Sequence, residues 1–143
     1  MTNSSDGPPV GMLLRLAHLR AREIFAEALR PLDLRTYHYG ALLVLARKGP
    51  CTQRELAAAL ATDKSTMVRM IDDLEDRGLI TRARMPSDRR AHAITLTDRG
   101  REVTARADAI AETMHDVLLA GFTDDERRTL RDLLVRLTRY DAF

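Results

Sequence analysis

The chain contains one cysteine and no tryptophan, and aromatic residues make up only 4% of its 143 positions. With a single thiol no internal disulfide can form, which is typical of proteins kept in the reducing cytosol. The shortage of aromatic rings argues against a protein that stacks single-stranded nucleic acid. No apolar run approaches the roughly 20 residues of a membrane helix, and residues 1–11 lack the pattern of an export signal. We therefore expect a cytoplasmic protein without membrane contact.

The ionisable residues form none of the arrangements that enzymes and metal proteins need. No zinc-site spacing relates the four histidines, which are His18, His38, His92 and His115. One enzymatic alternative is a thiol peroxidase using Cys51, but this residue lacks a partner base and any group that would lower its thiol pKa. We therefore predict a protein without catalytic activity, cofactor or metal, in which Cys51 is a buried structural thiol.

Hydrophobic periodicity predicts six helices and two strands. The segments end at helix breakers such as Pro31, Gly49 and Gly78, and they begin at capping residues such as Thr52 and Thr123. The polar, proline-containing residues 1–11 are expected to form a flexible tail. The predicted helices cover residues 13–30, 35–47, 53–60, 64–77, 97–120 and a last segment from 123, and the predicted strands cover 79–84 and 91–96.

The middle of the chain has the order of a helix-turn-helix followed by a β-hairpin. In such a unit the second helix lies in the major groove of DNA, with its N-terminal turns facing the base edges. The apolar side chains of this helix that are predicted to face the core are Met67, Ile71 and Leu74. Ser65, Thr66 and Arg69 would then project outwards. Hydroxyls can donate to or accept from bases, and arginine can bind guanine O6 and N7.

Two further groups of residues are predicted to contact DNA. Lys64 at the start of the second helix, with Thr52 and Gln53 at the start of the first, would bind phosphate. The hairpin tip, residues 82–90, carries four arginines against Asp88 and could enter the electronegative minor groove. Asp88 could orient a neighbouring guanidinium. The predicted tip contacts are Arg89 and Arg90.

These segments resemble the MarR family of winged helix-turn-helix regulators. The stretch Thr52-Gln53-Arg54-Glu55-Leu56-Ala57 is similar to the family's third helix, and residues 63–69, Asp-Lys-Ser-Thr-Met-Val-Arg, are similar to its recognition helix. Asp88-Arg89-Arg90, followed by Ile-Thr-Leu-Thr-Asp-Arg-Gly over residues 94–100, resembles the family's wing and the entry to its long fifth helix. The resemblance covers nearly the whole chain beyond residue 11.

The resemblance implies a mainly α (α+β) fold with a two-stranded β wing. Long terminal helices, over 12–34 and 98–143, would form a dimerisation region, and residues 35–97 would form the DNA-binding lobe. The expected protein is a homodimeric regulator that binds double-stranded DNA at a pseudo-palindromic operator, with repression as its expected effect. Arg90 would be the minor-groove residue of the wing, and Asp88 would orient it.

Family members often respond to small aromatic or phenolic compounds bound between the dimer helices and the lobe. By that analogy His18, Tyr37 and His38 are candidates to line an effector cleft, although ordinary amphipathic packing would equally explain them. Ligand binding would shift the population of lobe spacings. The alternative function is a winged-helix scaffold for protein partners that has lost sequence-specific DNA binding.

Overall fold

The computed structural model describes residues 7–85 and 87–140, with only the backbone described for residues 88–91. The predicted helices and strands are all present, so the mainly α fold with a β wing is confirmed. A 3-10 turn at Arg30–Leu32 joins the first two helices. The helices are α1 (Val10–Leu29), α2 (Thr36–Lys48), α3 (Gln53–Ala59), α4 (Lys64–Asp76), α5 (Asp98–Leu118) and α6 (Asp124–Thr138), and the strands are β1 (Cys51–Thr52), β2 (Ile80–Met85) and β3 (Asp88–Leu96).

The first helix begins earlier than the sequence predicted. Pro9 occupies the N-cap position, and the N–H of Leu13 donates to its carbonyl oxygen over 3.1 Å. Residues 10 and 11 are therefore helical, and the prediction that they belong to a flexible tail is wrong. Proline interrupts a helix interior but is compatible with a helix start, where backbone N–H groups have no partner within the helix.

The sheet contains a third strand that the sequence did not reveal. Strand β3 lies between β1 and β2 and pairs antiparallel with both. Strand β1 has two residues, with Cys51 opposite Ile94, which is too short to show a periodic pattern. Through this pairing the start of α3 is fixed to the base of the hairpin.

The core lies between α2, α3, α4 and the hairpin. The prediction that Met67, Ile71 and Leu74 face inwards is confirmed, because all three side chains are 0% exposed. Cys51 is also buried, as predicted, and its thiol donates to the carbonyl oxygen of Gly49 over 3.3 Å. Burial raises the pKa of this thiol, so the residue has the character of a structural thiol.

The start of α5 fits closely against the start of β2. The Thr97 N–H donates to the Leu79 carbonyl oxygen over 3.1 Å, and the Thr97 hydroxyl donates to the Gly78 carbonyl oxygen over 2.7 Å. The same hydroxyl accepts the Gly100 N–H and so caps the helix. These hydrogen bonds of Thr97 fix the position of α5 relative to the hairpin.

Helices α1 and α6 leave large apolar side chains uncovered by this chain. Only Leu29 of α1 is buried, and α6 has no buried residue among those described. No described helix is both long and apolar enough to span a bilayer. Amphipathic helices with such faces need a packing partner. The exposed residues on these two helices are Val10, Met12, Leu13, Leu14, Leu16 and Leu19 on α1, and Leu133, Leu134, Val135 and Leu137 on α6.

Candidate nucleic-acid interface

The N-terminal turns of α3 and α4 meet the hairpin base around one groove of about 540 Å³. The structure therefore brings together three residues that the sequence singled out for phosphate binding, Thr52, Gln53 and Lys64. Arg54 and His92 also line the groove and were not among the residues predicted from the sequence. Their positions in the sequence could have indicated them. Arg54 lies in the first turn of α3, and His92 lies on the neighbouring strand β3.

A capping box holds the start of α3, as the sequence predicted. The Glu55 N–H donates to the Thr52 hydroxyl over 3.1 Å, and the Thr52 N–H donates to the Glu55 carboxylate over 3.0 Å. The Thr52 hydroxyl oxygen is thus already an acceptor within the helix. Arg54 is exposed beside this cap, where a guanidinium can reach a phosphate.

The carboxylate of Asp63 organises the first turn of α4. It accepts the Thr66 N–H over 2.8 Å, which is the N-cap bond. It also accepts the Ser65 hydroxyl over 2.8 Å and the Thr66 hydroxyl over 2.7 Å. These hydrogen bonds, that of the Thr66 N–H first, hold the pKa of Asp63 far below its ordinary value.

The three residues expected to contact bases do not have equal freedom. Ser65 and Arg69 are exposed and Thr66 is half-buried, so all three reach the surface of α4. Both hydroxyls are engaged by Asp63. Within the described residues no hydrogen bond or ion pair engages the Arg69 guanidinium, which leaves it able to bind a partner.

Arg82 is bound to helix α4 and does not belong to a free basic tip. Its Nε donates to Glu75 Oε2 over 3.1 Å, and its Nη2 donates to Asp72. Hydrogen bonds to these two carboxylates raise the guanidinium pKa. The expectation that Arg82 adds to the charge of the tip therefore needs correction, because carboxylates neutralise it while it fastens β2 to α4.

The tip residues of the wing lie largely outside the described side chains. The backbone of Asp88, Arg89 and Arg90 begins strand β3, and residue 88 pairs with Met85. The side chains of these three residues are among those not described. Their assignment to the minor groove remains a prediction.

A second cleft, of about 350 Å³, lies between α2 and α4. Tyr37 and His38 line it together with Thr66 and Arg69 of α4. Tyr37 is 43% exposed, and its ring centroid lies 4.4 Å from that of His38. His18 is not among the lining residues and is exposed on α1, so the chain by itself does not group the three candidate effector residues.

Buried His38 joins the start of α2 to the second half of α4. Its Nδ1 accepts the Arg35 N–H over 3.1 Å, and its Nε2 lies 2.6 Å from Asp73 Oδ2. The opposite oxygen of Asp73 accepts from Arg77 Nε over 3.2 Å, and Arg77 also contacts Asp33. Burial lowers the pKa of His38 against the opposing effect of Asp73. The side chain is 1% exposed, and these contacts fix the orientation of α4 relative to α2.

Acid should weaken the fold through His38. Its folded-state pKa lies below the ordinary 6.5, so unfolding takes up a proton and the free energy of unfolding falls as the pH drops below that value. We expect the melting temperature of His38→Gln to vary less than that of the wild type between about pH 7.5 and about pH 5. Some slope should remain, because desolvation also lowers the pKa of His115.

Thermal melts at a series of pH values measure this slope. His92→Gln is the matched control, since His92 is exposed on β3 and lies outside the proposed dimerisation helices, and it should retain the slope of the wild type. An unchanged slope in His38→Gln would mean that the buried imidazole does not couple proton uptake to unfolding.

Comparisons with known proteins agree with this geometry. The MarR family profile matches residues 38–92. A protein of Thauera aromatica assigned to transcriptional regulation of the hcr operon is 32% identical, over 99% of this chain and 86% of the relative. A mutant MarR of E. coli in complex with operator DNA is 27% identical, with a TM-score of 0.83 over 90% of this chain and 93% of that chain.

BpsR of Bordetella bronchiseptica, solved in a study of how 6-hydroxynicotinic acid regulates its DNA binding, is also similar. It is 29% identical, with a TM-score of 0.85 over 94% of this chain and 100% of that chain. Sequence and structure therefore match along almost their full length. The chain belongs to the MarR family of transcriptional regulators.

Proposed function

We propose that this regulator binds a pseudo-palindromic operator in the cytoplasm as a homodimer and represses transcription until a small aromatic or phenolic compound releases it. The observation that carries the proposal is the exposure of Ser65 and Arg69 in the first two turns of α4, the helix whose Lys64 lines the groove. The structure of a similar MarR in complex with operator DNA supports the proposal that this chain binds DNA. Phosphate contacts by Thr52, Gln53, Arg54 and Lys64 would position the helix.

The uncovered apolar faces of α1 and α6 support the homodimer. Residues 12–34 and 98–143 would form the dimerisation region, and residues 35–97 would form the lobe. Packing two copies through these helices would remove the exposed apolar side chains from water. A two-fold axis would also present two recognition helices to one face of the duplex.

The effector part of the proposal rests on the cleft between α2 and α4. Tyr37 and His38 line this cleft beside Thr66 and Arg69, so an occupant would lie next to the residues proposed to contact bases. The relative regulated by 6-hydroxynicotinic acid shows that a heteroaromatic acid can control DNA binding on this fold. His18 would join such a site only across the dimer. An effector acts by binding the two lobe arrangements with different affinity.

Arg69→Ala tests the assignment of the recognition helix. Losing a bidentate contact to guanine should relax discrimination at one position per half-site by about 1–3 kcal/mol. Arg54→Ala is the control, because loss of a phosphate contact should weaken binding to all sequences alike and lower the salt slope by about one contact. Titrations of both variants on matched and substituted duplexes separate these results. An equal loss on every duplex for Arg69→Ala would assign it to phosphate.

The alternative, a winged-helix scaffold for protein partners, predicts a different outcome. Such a protein would bind every duplex sequence with the same weak affinity, and that affinity would fall as the salt concentration rises. We further propose that the chain is not an enzyme. The raised pKa and burial of the Cys51 thiol support this proposal, and among the described residues no cluster of three potential ligands could hold a metal ion.

A further inference from the structure

We propose that Asp63 fixes the hydrogen-bond polarity of the recognition helix, so that Ser65 and Thr66 present acceptors alone and select adenine or cytosine. The inference deepens the proposed function and rests on it, since it concerns how α4 discriminates between bases. It assigns Asp63 a role in specificity beyond that of a helix cap. Asp63 acts through its neighbours and is therefore a positioning residue.

The hydroxyl protons of Ser65 and Thr66 are both donated to the Asp63 carboxylate. A serine or threonine hydroxyl has one proton to donate, and an ionised carboxylate can only accept. Ser65 Oγ lies 2.8 Å from Asp63 Oδ1, and Thr66 Oγ1 lies 2.7 Å from Asp63 Oδ2. Each hydroxyl proton therefore points at the carboxylate. The remaining lone pairs of both oxygens point away from it.

The carboxylate cannot easily turn away or become protonated. The Thr66 N–H donates to Oδ1 over 2.8 Å and anchors it to the helix backbone. The same hydrogen bonds lower its pKa, so it stays ionised at neutral pH. The arrangement is thus a fixed property of this turn, present before DNA arrives.

Fixed acceptors make an otherwise permissive residue type selective. Serine and threonine can pair with either kind of base edge because the hydroxyl proton rotates. Here the lone pairs can meet only donors, which in the major groove are adenine N6–H₂ and cytosine N4–H₂. Guanine O6, thymine O4 and phosphate oxygens would face them acceptor to acceptor. The exposed Asp63 charge adds to the repulsion of phosphate.

The neighbouring cations fit a division of roles along α4. Lys64 and Arg69 flank the hydroxyl pair in sequence and are exposed. In the described part of the structure neither has a side-chain partner. Lys64 would take a phosphate and Arg69 a guanine, while the hydroxyl pair between them selects amino groups. The first two turns would therefore recognise both donor and acceptor bases.

Asp63→Asn inverts one hydroxyl without removing the cap. Asparagine caps helices as well as aspartate, and its amide oxygen can keep the Thr66 N–H. Its NH₂ group donates, so it would pair with one hydroxyl oxygen and release that proton towards DNA. Every base pair carries one major-groove amino group, so the readout is the strand on which that group lies. Selection from a randomised duplex library should give the wild type a preferred base pair at one position of each half-site, with the adenine or cytosine always on the same strand of the half-site. Asp63→Asn should weaken that strand preference by roughly tenfold, or place guanine or thymine on that strand instead.

Thr66→Val is the second variant, because it removes one hydroxyl and leaves the Asp63 cap in place. It should lose the amino-group preference at one position per half-site and gain no preference for guanine or thymine. If Asp63→Asn melts like the wild type and selects the same bases, the proposal is overturned. The proposal is also overturned if Thr66→Val keeps the wild-type preference for an amino group at every position. This second variant remains a test of the proposal if Asp63→Asn does not fold. A wild-type chain that selects no sequence at all would instead refute the proposed function.

Discussion

Gly100→Ala should destabilise the fold by about 3 kcal/mol, the upper end of the usual cost of overpacking. A Cβ at this position would overlap the carbonyl oxygen of Leu79 and lie 3.0 Å from its carbon. The Leu79 carbonyl cannot rotate away freely, since it accepts the Thr97 N–H that begins α5. The Leu96 side chain, 3.3 Å from the new atom, closes the other side. The whole start of α5 would have to move away from the hairpin.

Urea unfolding of the variant measures this loss, and Gly11→Ala is its control. Gly11 lies in α1 with nothing within 4 Å of a new Cβ. Alanine there should be neutral or stabilise the helix by up to about 1 kcal/mol through its higher helix propensity. Equal stabilities for the two variants would show that the junction between β2 and α5 is looser than the structure indicates.

Placing charge on the apolar face of α6 should abolish the dimer. Leu133 is 51% exposed and Leu137 is 56% exposed within one chain, four residues apart on the same side of the helix. Changing both to aspartate would bury two carboxylates in the proposed interface, each at a cost of several kcal/mol. Operator affinity should fall by more than a hundredfold, because two separate lobes lose the effective concentration that links their half-sites.

Light scattering gives the oligomeric state of Leu133→Asp/Leu137→Asp directly, and circular dichroism shows whether each chain stays folded. Ala58→Asp provides the matched control, because it adds a carboxylate at an exposed position of α3, away from the terminal helices. This control should remain dimeric. A stable dimer in the double variant would place the interface elsewhere.

Local sequence rules predicted most of the fold because its boundaries depend on neighbouring residues. The capping boxes at Thr52 and Thr123 and the glycine after α4 are short-range signals, and the structure reproduces each of them. Strand β1 was not predicted because its two residues are too few to show an alternating hydrophobic pattern. The early start of α1 was missed because Pro8 and Pro9 indicate a tail, although proline is compatible with a helix start and Pro9 is the N-cap of α1.

The candidate site was only partly predictable for a related reason. Helical spacing placed Ser65, Thr66 and Arg69 on the surface of α4. Spacing could not show that Asp63 takes both hydroxyl protons. Contacts between distant segments were also hidden from it. Arg82 meets carboxylates of α4, and His38 meets Asp73, only after the chain has folded.

Dimethyl sulfate footprinting on a selected duplex, with a stoichiometric titration, tests the central claim most directly, because the reagent methylates guanine N7 in the major groove and so shows where two recognition helices lie. We expect two protected major-groove patches on one face of the duplex, about 34–36 Å apart, with two chains bound. Uniform protection along the duplex, or protection of one patch by a single chain, would contradict a homodimer that places two α4 helices in successive major grooves.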